Sequence, residues 1–167
     1  MTVEDKTGYR RLKPLKSLAE ILDVAIGFER TARDFYTGLI PKVSKQIRYL
    51  VEEIAEEEQR HFELFSEIRA RRDLESQIGE MVEVPASDAR FSDCIHLPDL
   101  GDKPDDQEVL QYALGREQAA IEQYSALAKA TPAGPIRDLF VFLADEETLH
   151  KNELEKIYYE VVHSGGV

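Results

Sequence analysis

The sequence predicts an all-α protein, a single four-helix bundle made of two similar helical hairpins joined by a long crossover. Apolar residues recur at alternating intervals of three and four along four long stretches, which is the pattern of packed, nearly parallel helices. The nine glycines and seven prolines lie mostly at the ends of these stretches. We expect the bundle to span 17–162, between an N-terminal segment at 1–16 and a tail at 163–167.

The first predicted hairpin contains the first two helices. The first helix begins at Ser17, where a serine followed three residues later by a glutamate has the pattern of a capping box. It ends near Gly38, because Pro41 cannot continue a helix. The second helix begins between residues 41 and 44 and ends near Arg72.

The second predicted hairpin follows a long connection. Residues 74–104 lose helical periodicity, and their number favours a crossover along the bundle, with a short helical turn over 74–78. The third helix begins at another capping box at Asp105 and ends before Pro132. The fourth begins after Gly134 and continues to the end of the bundle.

The two hairpins resemble each other in sequence. Residues 25–29 (AIGFE) correspond to 113–117 (ALGRE), 88 positions later, and 54–61 (IAEEEQRH) correspond to 143–150 (LADEETLH), 89 positions later. A two-fold arrangement of such hairpins places equivalent residues opposite one another across one axis.

Six ionisable residues occupy positions at which the helical pattern demands an apolar side chain. Buried carboxylates are rare unless they are paired or bound to a cation, because desolvation of each one is costly. Two divalent cations would balance four carboxylates and leave both histidines neutral. The six candidate metal ligands are Glu29, Glu58, His61, Glu117, Glu147 and His150.

The spacing of these residues supports one shared metal centre. The Glu-x-x-His pairs at 58–61 and 147–150 each lie on one helix face and can reach one ion. A single such pair would usually lie on a solvent-exposed helix face. Two copies at matching points of a repeat indicate metal ligands much more strongly. One glutamate from each of two helices, with Glu-x-x-His from each of the others, is the ligand pattern of di-metal carboxylate bundles.

Four further residues are predicted to lie near the ligands. Tyr36 and Tyr124 each follow a ligand glutamate by seven residues, and a buried tyrosine needs a hydrogen-bond partner. We expect their hydroxyls to support ligand carboxylates, and core tyrosines bonded to backbone or water are the alternative. Glu57 and Glu146 fall beside the buried seam, where they either support the ligands or face solvent.

With these ligands and the long crossover, the chain resembles the rubrerythrin branch of the ferritin-like superfamily over about 17–162. The resemblance implies a di-iron centre bridged by Glu58 and Glu147. It also implies that Glu29 and Glu117 are terminal ligands and that each histidine supplies one nitrogen. Zinc or manganese could replace iron, since the same ligands accept them.

The chain also departs from that family in three ways. Cys94 is its only cysteine, so we expect no rubredoxin domain and an external electron-donor protein instead. Ala120 stands where the family carries a further glutamate, so the ligand exchange proposed for the family has no evident residue here. We expect no haem, because Met1 and Met81, the two methionines, lie outside the main helices. We interpret His96, in the crossover, as an ordinary loop residue.

The predicted function is that of a di-iron oxidoreductase reacting with O₂ or H₂O₂, of the ferroxidase or peroxide-scavenging type, in protection from oxidative stress. Imidazole and carboxylate ligands suit iron and leave coordination positions open. The alternative is a non-catalytic iron or zinc carrier, buffer or sensor. A polar core without metal, in an assembly protein, is a third interpretation.

Composition and charge limit the classes of partner that we expect the chain to bind. A net charge of −12 disfavours nucleic acids and anionic membranes. No stretch approaches the roughly 18 apolar residues of a membrane span, and residues 1–16 lack an apolar signal region, so we expect a cytoplasmic protein. A homodimer is expected, and exchange of hairpins between chains is feasible across the long crossover.

Overall fold

The computed structural model describes residues 15–84 and 100–164 and confirms the all-α bundle. Four long helices form two hairpins, α1 with α2 and α4 with α5, and the backbones approach most closely within each hairpin. In chain order the elements are β1 (Leu15–Ser17), α1 (Leu18–Leu39), α2 (Lys45–Ala70), a 3₁₀ turn (Arg72–Leu74), α3 (Glu75–Ile78), β2 (Met81–Glu83), α4 (Asp106–Ala130) and α5 (Pro135–Ser164). None of the described helices is long and apolar enough to cross a bilayer.

Local sequence accounts for two of the helix starts. At α1, the Ser17 hydroxyl accepts a hydrogen bond from the Glu20 backbone N–H, and the Glu20 carboxylate accepts one from the Ser17 N–H. This reciprocal pair is the predicted capping box. At α4, the Asp105 carboxylate accepts from the Glu108 N–H at 2.8 Å. Both helices therefore begin where an oxygen-bearing side chain satisfies an otherwise unpaired N–H.

A two-stranded antiparallel ladder was not predicted from the sequence. In it, β1 pairs with β2, with Lys16 opposite Val82, and the Leu18 N–H donates to the Glu80 carbonyl at 3.0 Å. The ladder joins the beginning of the crossover to the N-terminal end of α1. The short helix expected over 74–78 is α3.

The rest of the crossover at 85–99, with Cys94 and His96, lies outside the described residues, as does the segment 1–14. The last helix continues through Ser164, two residues into the expected tail.

The crossover also contacts the second hairpin. The Gln77 side chain donates to the Pro132 carbonyl and accepts from the Ile136 N–H, both at 3.4 Å. Gly134, with a φ of 155°, leaves room for this contact, because a Cβ there would lie 2.3 Å from the Gln77 amide nitrogen. The crossover is thus held to the α4–α5 turn at this end of the bundle.

A polar layer divides the apolar core into two clusters, and every long helix contributes to both. The first apolar cluster includes Leu22, Phe28, Phe65, Tyr124 and Phe140. The second apolar cluster includes Tyr36, Ile47, Ile54, Leu110 and Leu154. Along each long helix, the ionisable groups that interrupt the apolar pattern lie between the residues of these two clusters.

Candidate metal centre

All six predicted ligands lie in the polar layer. The four glutamates are 0% exposed and His61 is 2% exposed, whereas the His150 side chain is 11% exposed. Because each long helix keeps its apolar stripe toward the bundle axis, each ligand interrupting a stripe is directed inward. The sequence therefore predicted correctly where these side chains lie, and metal ligation by them remains a prediction.

The ligands form two groups that share one carboxylate. Within each group, one ligand atom from each residue lies within 4.8 Å of the corresponding atoms of the others. Position 1 consists of Glu29, Glu58, His61 and Glu147. Position 2 consists of Glu117, Glu147 and His150. A shared carboxylate between two groups is the arrangement that two neighbouring cations require.

Seven buried polar atoms of these residues have no hydrogen-bond partner among the described residues. An unsatisfied buried donor or acceptor costs about 1–3 kcal/mol, and more if charged. The atoms are Glu29 Oε2, His61 Nδ1, both Glu117 oxygens, both Glu147 oxygens and His150 Nδ1. This set of oxygen and imidazole nitrogen atoms fits divalent transition metals.

The two histidines are held by glutamates of the opposite hairpin. Glu146 Oε2 lies 2.8 Å from His61 Nε2, and the Glu57 carboxylate pairs with His150 Nε2. With Nε2 donating to a carboxylate, the Nδ1 lone pair of each ring is available to a cation. His61 Nδ1 indeed faces the layer, 3.2 Å from Glu147 Oε1. Glu57 is only 8% exposed, so it lies against His150 and does not face solvent.

The two tyrosines differ. The Tyr124 hydroxyl donates to Glu29 Oε1, a ligand carboxylate of the opposite hairpin, which is the kind of contact that the sequence suggested. Tyr36 is equally buried, but its hydroxyl has no hydrogen-bond partner among the described residues. Only one of the two expected contacts is therefore formed, and a supporting role toward metal stays a prediction for both.

Sequence reasoning missed Arg116. This residue is 2% exposed, and its guanidinium donates to both oxygens of Glu58, at 2.9 and 3.3 Å. The guanidinium carbon also lies 4.2 Å from the centroid of the Phe28 ring. The available signal was the repeat itself, which aligns Arg116 with the buried, apolar Phe28. An arginine at a position that packs inward requires a buried partner.

The crowded carboxyl groups influence one another's protonation. Burial raises the pKa of Glu58 and of Glu117 well above its ordinary value. In Glu29 and Glu147 burial acts in the same direction, but the neighbouring carboxyl and imidazole groups outweigh it and lower the pKa. Burial would lower the pKa of His61, but Glu147 and Glu29 raise it instead. Such opposed shifts are typical of like charges forced together, a setting that favours cation binding.

Comparisons with known proteins agree with this fold. Residues 20–93 match the rubrerythrin family model, a region that includes α2 and all but the first two residues of α1. The fold is similar to that of a protein from Thermotoga maritima described as a ferritin-like diiron-carboxylate protein, with a TM-score of 0.66 and 20% identity over 88% of this chain and 97% of the other. At that identity the similarity establishes the fold. A comparison with curated proteins gives no significant match.

Proposed function

With a first hairpin of rubrerythrin type and a ferritin-like fold, we propose that this chain is a di-iron protein that reacts with O₂ or H₂O₂. The observation that carries the proposal is the set of seven oxygen and nitrogen atoms of the candidate ligands that find no hydrogen-bond partner in the described part of the chain. Four carboxylates gathered there need about two divalent cations to balance their charge. The resemblance to rubrerythrins favours iron among the metals that these ligands accept.

Each group of the layer has a role in this proposal. The residues of position 1 and position 2 would each hold one ion, and Glu147 would serve both. Bound ferrous iron would supply one electron per ion for the reduction of O₂ or H₂O₂. Glu57 and Glu146 fix the rings of the two histidines. The Tyr124 hydroxyl, which donates to Glu29, holds a proton at the edge of position 1.

The surroundings of the layer suit a small oxidant. The two apolar clusters cover it above and below, so bulk water is excluded along the bundle axis. A cavity of about 350 Å³ between α2 and α5 reaches His61 and is lined by Leu64, Phe142 and Glu146, among others. This opening would admit a molecule as small as O₂ or H₂O₂ to the side of position 1.

Metal content and reactivity test the proposal together. The protein is purified anaerobically, its metals are counted per chain, and the reduced form is mixed with O₂ or H₂O₂ in single turnovers. We expect about two irons per chain and rapid oxidation of both by at least one oxidant. Absence of bound metal would refute the metal centre, and bound iron that is inert to both oxidants would refute the redox function.

One observation favours a second candidate, a non-catalytic carrier or buffer of iron or zinc. Ala120 is 0% exposed and stands one turn after Glu117, where rubrerythrins carry a further carboxylate. A layer without that residue can still hold cations. Preferential retention of zinc, with no change on exposure to oxidants, would identify this second function.

The remaining expectations accompany the proposal. We propose that electrons reach the layer from an external donor protein, that the chain forms a homodimer and that it resides in the cytoplasm.

A further inference from the structure

Arg116 brings a permanent positive charge into the polar layer. Its guanidinium donates to both carboxylate oxygens of Glu58, and one of its nitrogens lies 3.9 Å from Glu29 Oε2. Both contacts are to residues of position 1. The guanidinium is also enclosed by the rings of Phe28 and Tyr36, whose centroids lie 4.2 and 5.7 Å from its central carbon. A charge confined in this way cannot swing away into solvent when a cation arrives.

The charge balance of the layer changes as a result. The four glutamates of positions 1 and 2 carry four negative charges when ionised, and Arg116 offsets one of them. For these ligands and Arg116 alone, with neutral histidines, one divalent cation leaves a net charge of about −1, and a second brings it to about +1. Glu57, which is also buried, adds a carboxylate beside His150 of position 2. Arg116 therefore makes binding of the second cation less favourable than binding of the first.

The two positions also differ in how many of their candidate ligand atoms are already hydrogen-bonded. At position 2, both oxygens of Glu117 and the Nδ1 atom of His150 have no hydrogen-bond partner among the described residues. At position 1, Glu29 Oε2 and His61 Nδ1 also have no such partner, but Arg116 binds both oxygens of Glu58, and Tyr124 binds the other oxygen of Glu29. A cation that uses Glu58 at position 1 must displace or share the hydrogen bonds of Arg116, whereas a cation at position 2 meets no such competition.

We propose that Arg116 makes the two metal positions unequal, so that the protein binds one divalent cation tightly at position 2 and a second much more weakly at position 1. At an effective dielectric constant of about 20, unit charges about 5 Å apart change a binding constant by about two orders of magnitude. A tenfold separation of the two dissociation constants is thus a minimum. This inference rests on the proposed metal centre.

Calorimetric titration of the metal-free protein with Co²⁺ tests the proposal without using activity. For the unaltered protein we expect two steps whose dissociation constants differ at least about tenfold. In Arg116→Met the separation should collapse, because the second step becomes tighter. Arg116→Lys keeps the charge and should keep most of the separation. Arg33→Met is the matched control, since Arg33 also lies over a ring, that of Phe62, but outside the layer.

Thermal unfolding separates this role from a merely structural one. Arg116→Met should lower the midpoint of the metal-free protein, because Glu58 loses its buried partner. The same variant should show a larger rise in midpoint on saturation with Co²⁺ than the unaltered protein. A residue that only stabilised the fold would lower both midpoints equally, and that result would overturn the proposal.

Diffraction from crystals of the unaltered protein with one equivalent of Co²⁺ gives a test that depends on no variant. Anomalous density confined to the site between Glu117, Glu147 and His150 is expected. Equal density at both positions, density at position 1 alone, or two indistinguishable dissociation constants would overturn the inference while leaving the metal centre intact. Failure to bind any metal would refute the inference and the proposed function together.

Discussion

The two hairpins carry the same candidate ligands at the same repeat positions, yet the surroundings of those ligands differ. In α1 the residue before the ligand glutamate is Phe28, which belongs to the first apolar cluster. In α4 the equivalent residue is Arg116, which enters the polar layer and binds Glu58 of the opposite hairpin. Tyr124 of the second hairpin bonds to Glu29, whereas Tyr36 makes no corresponding contact among the described residues.

This difference shows what a duplicated sequence determines. Helix phase, which the repeat preserves, directs equivalent side chains toward the bundle axis. The partner of each side chain depends on the residue opposite, which the repeat does not preserve. Two half-sites with the same ligands can therefore hold cations unequally.

Loss of the carboxylate that both half-sites share should have the largest effect. Glu147 belongs to position 1 and position 2, so Glu147→Ala should remove nearly all bound metal, as counted by elemental analysis of the purified protein. Glu153→Ala, on the exposed face of the same helix, is the control and should retain the full content. Full metal content in Glu147→Ala would show that the two half-sites do not meet at this residue.

Removal of metal tests whether the two hairpins depend on cations to stay together at the layer. A ligand present at about 100 times its dissociation constant stabilises a protein by about 2.7 kcal/mol. For a domain of this size, that corresponds to a fall of about 5–10 °C in the thermal midpoint on chelation. Differential scanning calorimetry measures this fall in the midpoint. An unchanged or higher midpoint in the metal-free protein would contradict the proposed metal centre. Glu147→Ala should show no such difference.

Glu57 and Glu146 offer a way to weaken mainly one half-site at a time. Glu57 pairs with His150 of position 2 and lies at a longer distance, 3.7 Å, from His61 Nε2, whereas Glu146 lies 2.8 Å from His61 of position 1. Replacing either glutamate by alanine should weaken cation binding about tenfold or more at the position whose histidine it pairs with. The number of metal ions bound at saturation should not fall. Calorimetric titration resolves the two steps. Equal weakening of both steps by either variant would show that the crossed pairing does not act on single ions.

The smallest expected effect concerns the two tyrosines. Tyr124→Phe removes a hydroxyl that donates to a buried carboxylate, so the free energy of unfolding of the metal-free protein should fall by about 1.5–3 kcal/mol. Tyr36→Phe should instead leave it unchanged or raise it by up to about 1–3 kcal/mol, because it removes a buried hydroxyl that has no partner among the described residues. Urea denaturation of the two variants measures these free energies of unfolding. Equal losses would mean that the tyrosine contacts do not distinguish the hairpins.

Much of the fold could be predicted because it is local. The capping residues Ser17 and Asp105 satisfy N–H groups three residues away, and the burial of the six candidate ligands could be predicted because each interrupts an apolar stripe. The pairing of Lys16 with Val82 could not be predicted, because short strands far apart in the chain carry little pattern of their own. Arg116 was missed for a similar reason, since its role depends on Glu58, which lies 58 residues earlier.

The central claim is that the polar layer between the two apolar clusters is a di-metal centre. Diffraction from crystals of protein fully loaded with Fe²⁺ under anaerobic conditions, with data on both sides of the iron absorption edge, tests it most directly. The account predicts two iron peaks per chain, one at position 1 and one at position 2, with Glu147 between them. Iron bound only at surface carboxylates, or no iron within the layer, would contradict it.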